Sequence, residues 1–210
     1  IKKKNFEIIF IDDNSNDGIK NVYSKIKKKY KNLKLFIRKQ KPRDLSQSCI
    51  YGFKKSKFDK ILVMDGDLQH DPKYIPHFYK KILSGNYDIV IGARNFEKRD
   101  HIRLSFTRYI LSKFLIKIFN ILLGKMSNDP MSGFFIFKKE IFNKSKQKLF
   151  GKGFKILSDL LYSSKFTLKS YDIKIIFKPR TNNSSKLGIK VLFYIGKFII
   201  LRFVSTLIKR

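Results

Sequence analysis

Lys60-Ile-Leu-Val-Met-Asp-Gly-Asp-Leu-Gln-His-Asp-Pro72 joins a short apolar run, Ile61 to Met64, to two carboxylates one residue apart, Asp65 and Asp67, with Gln69 two residues further on. A run of Ile, Leu, Val and Met that stops at Asp-Gly predicts a buried strand closed by a turn. Carboxylates at the C-terminal end of such a strand lie where open α/β sheets bind ligands. Asp-x-Asp-x-Gln offers hard oxygen ligands, which suit Mg2+ or Mn2+ held together with substrate phosphates. Taken alone, Asp-Gly-Asp also reads as a plain polar turn, and the surrounding chain has to separate the two readings.

At 210 residues the chain is long enough for one well-buried core, and it carries no low-complexity tract. Its 47 Lys and Arg against 16 Asp and Glu give a formal charge of +31. Such a surface favours anionic partners: nucleic acid, lipid headgroups or phosphorylated substrates. Part of the excess follows from a composition rich in Lys, Asn, Ile and Phe throughout. Zinc-finger spacing, basic heptads and an aromatic RNP-like strand are all missing, so no nucleic-acid partner is expected. Cys49, the single cysteine, precludes an intrachain disulfide. It falls in a predicted helix as a buried structural thiol rather than a nucleophile.

Outward from the opening stretch, strands and helices alternate. Strands are predicted over residues 6–11, 33–38, 60–64 and 87–92, and helices over 19–30, 44–56 and 72–83. This alternation argues for an α/β fold, a mainly parallel sheet with helices on both faces. Beyond it, residues 102–123 read as an apolar helix too interrupted to span a bilayer. A short strand ends near residue 137, a helix covers 154–166, a strand 168–177, and a last helix 186–209. In that last helix Lys197 and Arg202 would sit near the centre of a span, which favours an amphipathic helix lying in a membrane interface. Two segments are expected: an α/β domain over residues 1–188 and a membrane-associated amphipathic helix over 189–210.

Six motifs in order carry a resemblance. Ile11-Asp-Asp-Asn-Ser-Asn-Asp-Gly18 is similar to the nucleotide-binding signature of family 2 glycosyltransferases with the Rossmann-like GT-A fold, and Asp65-Gly-Asp-Leu-Gln-His-Asp-Pro72 to their metal motif. Ile91-Gly-Ala-Arg94, Asp129-Pro-Met-Ser-Gly-Phe134, Gly153-Phe-Lys-Ile-Leu157 and Phe177-Lys-Pro-Arg-Thr-Asn-Asn-Ser-Ser-Lys-Leu-Gly188 resemble the dolichol-phosphate mannosyltransferase branch (polyprenol monophosphomannose synthases). Members of the family begin with one further strand, central in the sheet, which the sequence does not show. Its absence is expected to leave two strand edges unpaired.

The resemblance implies roles. Asp13, with the Ile11 backbone, is expected to hold the base or ribose of a nucleotide sugar, while Asp12 and Asp17 serve as turn and cap residues. Asp65, Asp67 and Gln69 are the expected ligands of Mg2+ or Mn2+, Asp67 being essential to catalysis. Gly66 allows close approach to the ribose, and His70 and Asp71 are structural. Arg94, Arg108 and Ser112 are expected to bind an acceptor phosphate; Arg108 and Ser112 share a helix face. Arg108 also reads as a solvated residue on a basic helix. Arg180 and Lys186 belong to a loop expected to close over the donor diphosphate. Asp159 reads as support for that loop.

The implied activity is inverting transfer of mannose from GDP-mannose to dolichyl or polyprenyl monophosphate at the cytoplasmic face of an anionic membrane. The first alternative is the same fold working with a UDP sugar. The second is a non-catalytic basic membrane-binding protein.

Overall fold

The computed structural model describes residues 6–94, 106–153, 155–164 and 168–178, and residues 193, 194, 196, 197, 199–201 and 204; the side chains of residues 106–108, 122 and 123 lie outside that description. β1 (Ile8–Asp12) and β2 (Leu33–Ile37) are joined by α1 (Ile19–Lys29) and pair in parallel, Ile8 opposite Leu33 and Asp12 opposite Ile37. α2 (Leu45–Lys55) starts at Asp44, whose side chain accepts from Gln47 N at 3.0 Å. An acidic N-cap satisfies a backbone donor that the first turn leaves open. Gly52 lets this helix lie close on β1, since a Cβ there would come within 3.2 Å of Ile11 Cγ1.

β3 (Lys60–Met64) has the predicted bounds. The chain then makes a 3-10 turn, Pro72–Tyr74, capped by Asp71, and enters α3 (Ile75–Leu83). β4 (Ile89–Arg94), α4 (Phe106–Leu123), β5 (Phe134–Lys138), α5 (Lys139–Ser145), α6 (Ile156–Ser164) and β6 (Ser170–Ile175) complete the described elements. The short helix α5 has no counterpart in the sequence reading. Residues 102–105 and 165–166 of the predicted helices, and the boundary at 188/189, fall outside the described residues.

The mainly parallel sheet needs correcting. The second sheet runs β3-β5-β4-β6, and β5 is antiparallel to both β3 and β4, while β4 and β6 pair in parallel. The reason lies in where the chain enters β5. The segment before it touches Arg94 at the end of β4 and Asp65 at the end of β3. A strand that begins where its neighbours finish can only run back. No ladder joins β1 to β3 among the described residues, and the first sheet contains β1 and β2 alone.

β5 carries the core. Phe134 and Ile136 pack on one face with Phe78, Ile82, Val90 and Ile175. Phe135 and Phe137 pack on the other with Phe53, Phe119, Leu157 and Leu160. A strand buried on both faces reads as an unbroken apolar run, and Phe-Phe-Ile-Phe is one. This rigid strand abuts the site: its first residue pairs with Met64, immediately before Asp65.

Candidate active site

The turn after β3 is held open on one side and tied down on the other. Asp65 stands against Gly133, the residue before β5, where a Cβ would come within 2.7 Å of Asp65 Cγ. No side chain larger than hydrogen fits there without moving the carboxylate. Gly66 differs, because a Cβ at that position would meet nothing within 4 Å. Leu68 has φ 62 and is 72% exposed. A left-handed, exposed leucine is backbone strain held in place by the structure around it. Gln69 is buried and supplies the anchor: its Nε2 donates to Lys178 O at 3.0 Å, and Lys178 N donates back to Gln69 O at 3.0 Å. Asp67 Oδ1 accepts from Gln69 N at 3.2 Å.

His70 and Asp71 are both tied into the fold. The His70 ring is buried between Phe134 and Phe177, with Nε2 3.8 Å from Asp65 Oδ2. Asp71 caps the 3-10 turn and pairs with Lys178 Nζ at 3.0 Å.

Asp13 stands at the other carboxylate turn. Its Oδ2 accepts from Arg38 Nη2 at 3.0 Å and Asp44 N at 2.7 Å, and its Oδ1 from Arg38 Nε and Ser48 Oγ. Burial works to raise its pKa, but the hydrogen bonds from Arg38, Ser48 and the Asp44 amide outweigh burial and hold it below the usual carboxylate range. The carboxylate therefore joins β1, β2 and α2, and a nucleotide placed there would compete with Arg38 for it. Asp12 accepts from Ser15 N, and Asp17 from Ile19 N and Ser15 Oγ, as turn residues do. Ile11 is half-buried in β1 beneath Gly52.

At the end of β4, Arg94 is clamped by the fully buried Asp129: Nε to Oδ2 at 2.6 Å, Nη2 to Oδ1 at 2.8 Å, and the backbone N–H to Oδ2 at 3.2 Å. Its guanidinium also lies over the Phe177 ring. The expected phosphate arginine is thus held in a bidentate pair with an internal carboxylate. Ser112 is half-buried on α4. The Arg108 side chain, Arg180 and Lys186 lie outside the described residues. Asp159 accepts from Phe150 N at 3.0 Å and Gly151 N at 2.7 Å and so holds the loop before α6, whereas the loop of Arg180 and Lys186 that it was expected to support lies outside the described residues. The Cys49 thiol is pushed up to about 12 by burial and by Asp65, Asp44 and Asp13, which removes it as a nucleophile.

Three residues at this site escape sequence reasoning. Asp129 and Gly133 stand inside a quoted motif, but their contacts with Arg94 and Asp65 exist only after folding. Lys155 precedes α6, and burial together with Arg94 pushes its ammonium down to about 8. Its motif, Gly153-Phe-Lys-Ile-Leu157, was the available signal.

Among the described residues no three His, Cys, Asp or Glu gather into a metal cluster. Asp65 and Asp67 offer carboxylate oxygens on one turn, and Gln69 a side-chain oxygen beside its bond to Lys178 O. Hard oxygen donors of this kind suit a cation that completes its shell with water and phosphate oxygens, as Mg2+ and Mn2+ do.

Residues 1–145 match the model of glycosyl transferase family 2. The chain belongs to this family. It is 36% identical to a dolichol-phosphate mannosyltransferase of Pyrococcus furiosus, covering 90% of this chain and 53% of that protein. It is 32% identical to the dolichol-phosphate mannosyltransferase of Mycosarcoma maydis, covering 90% and 64%. The chain thus spans between about half and two thirds of the length of these curated relatives. Among solved structures it superposes on glucosyl-3-phosphoglycerate synthase from Mycobacterium tuberculosis in complex with Mn2+, UDP-glucose and phosphoglyceric acid. The TM-score is 0.67 at 15% identity, covering 94% of this chain and 67% of that one. A phosphoglyceric acid complex of the same enzyme gives a TM-score of 0.66 at 16% identity, covering 95% and 68%. These likenesses establish an α/β GT-A-like fold with a mixed sheet.

The structural relatives overturn the expected partners. Those structures hold UDP-glucose with phosphoglyceric acid or glycerol 3-phosphate, where GDP-mannose and a polyprenyl phosphate were expected.

Proposed function

We propose that this chain transfers a hexose from a uridine diphosphate sugar to an acceptor that carries a phosphate. The observation that carries this reading is geometric: the one segment Asp129–Gly133 clamps Arg94 through the Asp129 carboxylate at 2.6 and 2.8 Å and lies against the Asp65 carboxylate through Gly133. A carboxylate turn and a guanidinium therefore meet at one segment. Asp65, Asp67 and Gln69 would hold Mg2+ or Mn2+, whose charge neutralises the departing nucleoside diphosphate. The Arg94–Asp129 pair borders the acceptor, and an acceptor oxygen bonds to the anomeric carbon as the bond to the diphosphate breaks. Positioning and fixed charge supply most of the rate. The UDP-glucose complexes of proteins with the same fold support the donor.

A panel tests this. UDP-glucose and GDP-mannose are each offered with 3-phosphoglycerate and with a short polyprenyl phosphate, in Mn2+ and in EDTA. Turnover is expected with UDP-glucose and only with metal, and Asp67→Ala should lower it at least about 100-fold, as loss of a charge-stabilising group does. Turnover with GDP-mannose alone, or undiminished turnover in EDTA, contradicts the reading.

The second part of the proposal is peripheral attachment to a membrane. Ile110, Phe114 and Ile121 are exposed at helical spacing along α4, among the exposed Lys113 and Lys117. Among the described residues no helix is long and apolar enough to cross a membrane. A helix with such a face lies in the interface instead. Vesicle flotation checks it: the protein should float with vesicles, and Phe114→Asp should leave more of it at the bottom. Equal flotation of the variant contradicts this role for α4.

A further inference from the structure

The His70 ring, next along the chain from Gln69, has little room to turn. His70 is 5% exposed. Phe134 lies against the ring with centroids 5.1 Å apart, and Phe177 meets it edge to face at 5.3 Å. Phe134 opens β5 and packs in turn on Phe78. The backbone is held as well, because Gln69 exchanges hydrogen bonds of 3.0 Å with Lys178 through its amide side chain and its carbonyl. Ring and backbone are therefore both fixed by the fold.

The two ring nitrogens have different surroundings. Nδ1 is buried and has no hydrogen-bond partner among the described residues. Nε2 lies 3.8 Å from Asp65 Oδ2, an electrostatic contact longer than a hydrogen bond. A hydrogen on Nδ1 would be a buried donor without an acceptor, whereas a hydrogen on Nε2 faces a carboxylate. The neutral ring therefore carries its hydrogen on Nε2. The two oxygens of Asp65 differ too. A Cβ added at Gly133 would meet Oδ2 first, then Cγ at 2.7 Å and Oδ1 at 3.0 Å. Oδ2 thus lies between Gly133 and His70, on a side chain that is 38% exposed as a whole.

We propose that His70 is a positioning residue for Asp65: its Nε2–H engages Oδ2, so that Asp65 offers a cation Oδ1 alone. The consequence is a choice of cation. Ca2+ takes about six to eight oxygens and often both oxygens of one carboxylate, whereas Mg2+ demands near-octahedral geometry at about 2.0–2.1 Å with few carboxylates. A carboxylate with one oxygen held back suits the smaller ion. The inference rests on the proposed reading of Asp65 as a metal ligand, and adds the residue that aims it and the ion it favours.

The experiment titrates Mn2+ into the chain, reads the free ion by electron paramagnetic resonance, and then competes the bound ion off with Mg2+ and with Ca2+. The wild type should prefer Mg2+. His70→Phe fills the same space without a donor and should weaken Mn2+ about 10- to 100-fold, as loss of a donor behind a metal ligand does, while narrowing the preference for Mg2+. His70→Gln returns an N–H near the position of Nε2 and should recover most of the loss. A packing role predicts the opposite order, since Phe keeps the contacts with Phe134 and Phe177 and Gln does not. Unchanged Mn2+ affinity in a folded His70→Phe variant overturns the proposal, as does an unchanged preference between Mg2+ and Ca2+. Nitrogen-15 resonances of the His70 ring test the contact without metal. Hydrogen on Nε2, with a resonance that moves in Asp65→Asn, is expected; hydrogen on Nδ1, or no movement, overturns the proposal. If the wild type binds no Mn2+ the metal reading of the turn fails, and the ring resonances still decide whether His70 holds Asp65.

Discussion

The Asp13 carboxylate accepts four hydrogen bonds, two of them from Arg38, which is only 6% exposed. Removing the carboxylate leaves a buried guanidinium without its counter-charge, so Asp13→Ala should cost about 3–5 kcal/mol, read from urea unfolding midpoints. The same pair sets an acid limit. A carboxylate held below its ordinary pKa stabilises the fold above its unfolded pKa, and loses that contribution as pH falls through the lower folded value. Stability should therefore fall on acidification below about pH 4, and Asp13→Asn should flatten that limb while lowering stability at neutral pH. At this scale the sequence showed residue types and their turns. It hid pairings such as Asp13 with Arg38, because a contact between distant positions leaves no local pattern. Arg94 illustrates the cost: the sequence reading assigned it to an acceptor phosphate and did not show its clamp on Asp129.

At the scale of elements, β5 decides how the site is built. Its apolar run was legible as a strand, but strand direction has no period in sequence, so the antiparallel insertion between β3 and β4 was not. Nor was α5, only seven residues long, whose apolar positions are too few to establish a helical period. The junction of β5 with the site rests on Gly133. Gly133→Ala should leave the fold intact by circular dichroism yet force Asp65 aside. Displacing a metal ligand should weaken Mn2+ about 10- to 100-fold, measured by electron paramagnetic resonance of the free ion. Unchanged Mn2+ affinity would show that Asp65 is not a ligand. Opposite behaviour is expected at Gly66, where a Cβ meets no protein atom, so Gly66→Ala should spare metal and act only on nucleotide affinity.

For the whole molecule, family membership was legible in the order of its motifs, because each was short but their sequence along the chain was not accidental. The partners were less legible: chains of one fold act on different nucleotides and acceptors, since function resides in the site rather than the scaffold. The +31 charge adds a general attraction for anions that salt screens, so phosphate and nucleotide affinities should both fall from 50 to 300 mM salt. Contacts specific to the site should persist within that trend. The central claim is that the Asp65-Gly-Asp-Leu-Gln69 turn binds a nucleotide diphosphate through a divalent cation. Titrating UDP into the wild type and Asp67→Ala, each in Mn2+ and in EDTA, tests it most directly. Binding only by the wild type and only in Mn2+ is the predicted result; equal UDP affinity in EDTA, or in Asp67→Ala, would contradict it.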